Sequence, residues 1–119
     1  MKTVFINLKD DGNISSKEIL INGIHKIDSS FVDATNYFKE DELGVLLQLE
    51  HKQLNTLLNL TDVSPYILLF FNEELKFKSA SYSIKSGAGN FTLQTQYENI
   101  LFIRMPYNLK WNKIISLNI

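Results

Sequence analysis

The chain has 119 residues, 45% of them hydrophobic and 21% charged, with no cysteine and a formal net charge of −1. This length suits one globular domain spanning residues 1–119, and the composition excludes a disordered tail. The missing thiols exclude disulfides, thiolate zinc sites, iron–sulfur clusters and cysteine nucleophiles.

Near-neutrality conceals a sorted charge. Up to Glu74 there are 12 acids against 6 lysines, a net of −6. From Leu75 onward Lys76, Lys78, Lys85, Arg104, Lys110 and Lys113 face the single acid Glu98, a net of +5. Such asymmetry points to an electrostatic partner, either another molecule or another copy of the chain. The first residues carry one lysine and few apolar side chains before Asp10 and Asp11, which does not fit a signal peptide. The longest apolar run, Tyr66–Phe71, is 6 residues, against the roughly 20 that a spanning helix needs. The expectation is a cytoplasmic protein without a membrane segment. Eleven lysines to one arginine, with 12 asparagines, suit an AT-rich bacterial or phage genome.

A first strand is expected over Thr3–Leu8, closed by the turn signal Asp10-Asp11-Gly12-Asn13. Lys17–Ile21 and Ile24–Ile27 then flank Asn22-Gly23. This pair tolerates the positive φ of a type I′ turn and predicts a hairpin. Ser30 can cap a helix carrying Phe31, Ala34 and Phe38 on one face, with Asp33 in the capping-box position. Leu43–Leu60 fits either one long helix or a strand followed by a short helix. The second reading is preferred, because Gly44-Val45 starts a helix poorly.

Beyond Pro65 the pattern is β. Tyr66–Phe71 reads as a strand covered on both faces, and Asn72-Glu73-Glu74 as a turn. The apolar set then moves from Leu75 and Phe77 to Ala80, Tyr82 and Ile84, which implies one extra residue and a β-bulge near Lys78-Ser79. Gly87–Asn90 reads as a loop, Phe91–Tyr97 and Ile100–Met105 as strands, and Ile114–Leu117 as a last strand. The expected class is α+β: a mainly antiparallel sheet of about 7–8 strands with two short helices from the middle third.

Candidate chemistry is sparse. His25 and His51 lie in different elements with no further ligand at metal spacing. The turn at Asp10 lacks the alternating oxygens and twelfth-position glutamate of a calcium loop, since Ile21 stands there. In Lys85-Ser86-Gly87-Ala88-Gly89-Asn90 the lysine precedes the glycines, the reverse of a phosphate-binding loop. No nucleophile elbow or dinucleotide fingerprint occurs, so neither catalysis nor a cofactor is indicated.

Two surface groups remain. Glu40, Asp41 and Glu42 gain nothing from the end of a helix, where acids oppose its dipole. With Glu73 and Glu74 they read either as solvated turns or as a contact surface for a basic protein. Arg104, Tyr107, Lys110 and Trp111 interleave cations with rings that stack on bases. Against nucleic acid stands a pI of about 6.1. The functional expectation is a non-catalytic protein-interaction module, an inhibitor or immunity-type protein using its acidic surface. The alternative is a homo-oligomeric assembly subunit docking acidic against basic faces.

Overall fold

Period-two alternation shapes the first strand: Val4 and Ile6 are buried while Phe5 and Lys9 are exposed. The computed structural model describes residues 2–27, 31–33, 44–49, 56–59, 66–83, 90–93, 99–104 and 110–119. Eleven strands lie among the described residues, in chain order: β1 (Lys2–Asp10), β2 (Asn13–Ile21), β3 (Ile24–Ile27), β4 (Phe31–Asp33), β5 (Gly44–Leu49), β6 (Thr56–Asn59), β7 (Tyr66–Phe71), β8 (Phe77–Ser83), β9 (Asn90–Leu93), β10 (Asn99–Arg104) and β11 (Ile114–Asn118). A short 3-10 turn, Trp111–Lys113, leads into the last.

Strands make up 80% of the described residues, and no α-helix occurs among them, so the α+β expectation is overturned in favour of a mostly β architecture. Both expected helices meet this correction where they can be seen. Phe31–Asp33 pairs in parallel with Leu57–Asn59, and Thr56–Asn59 pairs antiparallel with Asn90–Leu93. A leucine-rich run with helical spacing is equally compatible with a strand, because consecutive apolar residues carry no clean period. Cross-strand hydrogen bonding then overrides weak local propensity. Ala34 and Phe38 lie outside the described residues. The preferred strand at the start of Leu43–Leu60 is present as β5.

The strands form a three-stranded sheet in the order β11-β1-β2, a five-stranded sheet in the order β3-β5-β10-β7-β8, and a three-stranded sheet in the order β4-β6-β9. Asp11 (φ 49°) and Gly12 (φ 83°) form the tight turn between β1 and β2, flanked by the pair Asp10–Asn13. Positive φ at both central residues is the type I′ geometry, whose twist matches that of the strands.

The hairpin expected at Asn22-Gly23 is not formed. β2 and β3 both exist, but β2 pairs with β1, whereas β3 pairs in parallel with β5. Asn22-Gly23 carries the chain from the first sheet to the second. Its backbone groups are taken up by β5: Asn22 N–H donates to the Gly44 carbonyl (2.9 Å), and Leu46 N–H to that of Gly23 (3.1 Å). Gly23 lacks a positive φ, so the feature that makes Asn-Gly a hairpin signal is not used here.

At the opposite margin Lys76 forms an antiparallel bridge with Ser116, and Leu117 N–H donates to the Leu75 carbonyl (2.8 Å). The first two sheets are thus joined along both margins around one apolar interior. Val4, Ile6, Ile19, Ile21, Ile114 and Leu117 of the first sheet meet Leu46, Ile67, Leu69, Phe71, Leu101 and Ile103 of the second. The alternate residues of the second sheet, Val45, Leu47, Leu68, Phe70, Ile100 and Phe102, are also buried. That double burial explains why the stretch 67–71 is apolar throughout. The expected bulge is present: Phe70 pairs with Ser79 and Phe71 with Phe77, leaving Lys78 as the extra residue. A second bulge places Ile115 between the pairs Asn7–Ser116 and Leu8–Ile114.

Candidate functional site

The turn after β7 is the best-built exposed feature that bears charge. Asn72 organises it, as asparagine commonly does when its side chain satisfies backbone groups just ahead. Its Oδ1 accepts from the backbone N–H of Glu74 and of Lys76, both at 2.9 Å. Its own N–H donates to the Lys76 carbonyl, and its carbonyl accepts from Leu75 N–H, both at 3.0 Å. Leu75 takes a left-handed φ of 64°, held by the Leu117 bond on one side and this turn on the other.

Beneath the turn lies Asn99, the one buried polar residue among the described side chains. Its Nδ2 donates to the Asn72 carbonyl, and its Oδ1 accepts from Gln48 Nε2, both at 2.9 Å. One amide therefore ties β5, β10 and the turn together at the end of the core. Glu73 and Glu74 are exposed at the tip, with Lys76 and Lys78 exposed immediately after them, so the local charge is mixed.

A second charged group was missed from sequence because its members are about a hundred positions apart. Asp10 lies 3.3 Å from the Nζ of both Lys110 and Lys113. Hydrogen bonds from Lys110 and then Lys113, with their positive charges, hold the Asp10 carboxyl below its ordinary pKa. Lys110, one of the four residues of the candidate anion or nucleic-acid contact, donates from its ammonium to this carboxylate of the acidic half.

The outer face of the first sheet combines a polar rung with exposed apolar side chains. Ser16 Oγ donates to Asn7 Oδ1 (2.7 Å), and Asn7 Nδ2 donates to Ser116 Oγ (2.9 Å), crossing all three strands. Around this rung Phe5 is 40% exposed, Leu20 43% and Ile14 67%. Period-two alternation along β1 and β2 was the available signal for these positions.

The remaining candidates divide by location. Glu40, Asp41, Glu42, Tyr107 and His51 lie outside the described residues. Arg104 ends β10 and Trp111 opens the 3-10 turn before β11, so the structure assigns them to separate elements. His25 stands in β3 opposite Leu47. Among the described residues no group of three or more histidines and carboxylates could hold a metal ion. No helix among them is long and apolar enough to cross a membrane.

Comparison with known proteins returned no relative: no protein family, no curated protein and no solved structure matches this chain.

Proposed function

We propose that the chain is a non-catalytic protein-interaction module, an inhibitor or immunity-type protein that presents acidic side chains to a basic partner protein. The observation that carries this reading is the turn bearing Glu73 and Glu74, fixed from behind by Asn72, Asn99 and Leu117. A turn already ordered in the free protein loses little conformational entropy on binding, and its charges steer approach. Glu40, Asp41 and Glu42 belong to the same proposal on sequence grounds. Docking of acidic against basic faces between copies is the competing proposal. The contacts of Asp10 with Lys110 and Lys113 weigh against it, because acids of one half and cations of the other already meet within one chain.

The test starts from affinity capture in the native cell, followed by binding kinetics with the recovered partner. The Glu73→Lys/Glu74→Lys variant should keep its circular dichroism spectrum and associate several-fold more slowly at low salt. The deficit should shrink near 1 M salt, where the Debye length is about 3 Å. An unchanged rate at low salt would remove this turn from the interface. Light scattering at both salt concentrations separates the competing proposal, because a charge-docked oligomer dissociates as salt rises.

A further inference from the structure

We draw no further inference here: the strongest candidate, the exposed Phe5, Leu20 and Ile14 side chains on the outer face of the β11-β1-β2 sheet, carries nothing, because nothing in the structure shows what covers that apolar patch.

Discussion

Asp10 and Lys113 are 103 positions apart in the chain, yet their carboxylate and ammonium lie 3.3 Å apart beside the strand pair β1–β11. Lys110 reaches the other oxygen of the same carboxylate at 3.3 Å. Because the folded pKa of Asp10 is lowered, the stabilisation it provides is fully present above the ordinary carboxylate range. It is lost as pH falls through the lowered folded value. The stability difference between wild type and Asp10→Asn should therefore close in acid, and also near 1 M salt, where exposed pairs are screened. An NMR titration should show the Asp10 pKa returning toward its ordinary value in Lys110→Gln/Lys113→Gln. No movement in that variant would mean the two lysines do not hold the carboxylate in solution.

Gly12 and Gly23 distinguish the two turn signals, and Gly44 tests the close approach of β5 to β10. Gly12 has a positive φ with open space around it, so Gly12→Ala should cost about 1–2 kcal/mol from backbone strain alone. Gly23 has no positive φ, and an added Cβ would meet only His25 Nε2 at 3.7 Å, so Gly23→Ala should stay within about 1 kcal/mol of wild type. At Gly44 the φ is 121°, and a Cβ would lie 2.4 Å from the Phe102 carbonyl oxygen. Gly44→Ala should therefore lose more than about 2 kcal/mol, by strain and by forcing β5 away from β10. Urea melts of the three variants give the order directly. A larger loss at Gly23 than at Gly12 would restore the hairpin at Asn22-Gly23.

Phe71 faces the interior between the first two sheets, with its ring 5.8 Å from that of Phe77 in an edge-to-face arrangement. Phe71→Ala should cost roughly 3–5 kcal/mol through lost burial and the cavity left behind. Phe70 points to the opposite face and is 2% exposed, so Phe70→Ala belongs in the same range. Urea unfolding with losses under about 1 kcal/mol for both would contradict the double burial of β7.

Asn99→Ala should cost about 1–3 kcal/mol, because it removes the partner of Gln48 Nε2 and one donor to the Asn72 carbonyl. Asn99→Asp should cost more, since it brings a buried carboxylate toward that carbonyl oxygen. In both variants the backbone N–H of Glu74 should exchange faster with solvent, because the bond to Asn72 Oδ1 loses its support from below. Unchanged exchange at Glu74 would show that the turn holds without Asn99.

Much of the strand pattern was legible in the sequence. Alternation marked β1, continuous apolar texture marked β7 and β10, and the parity change between Phe77 and Ala80 placed a bulge near Lys78-Ser79, where the strand register has it. These signals are local: whether a side chain faces inward depends on a period that the chain carries in itself. The acidic turn was also legible, because Asn72-Glu73-Glu74 interrupts two apolar runs.

The pairing of the strands was decided elsewhere. Asp11-Gly12 and Asn22-Gly23 carry the same type I′ signal, yet only the first closes a hairpin. In the second, Asn22 N–H donates to the Gly44 carbonyl and the Gly23 carbonyl accepts from Leu46 N–H, partners that local turn chemistry does not include. Leu57 and Leu58 carried helical spacing, but their backbone groups lie between β4 and β9, and the ladder decides the conformation. The charge pattern follows the same division. Its sorting along the chain is a property of the sequence alone. Sheet order sets β11, from the basic half, beside β1 from the acidic half, and so brings Lys110 and Lys113 to Asp10. Period and turn chemistry act over a few residues, whereas partner choice in a sheet compares distant segments, and only the assembled core makes that comparison.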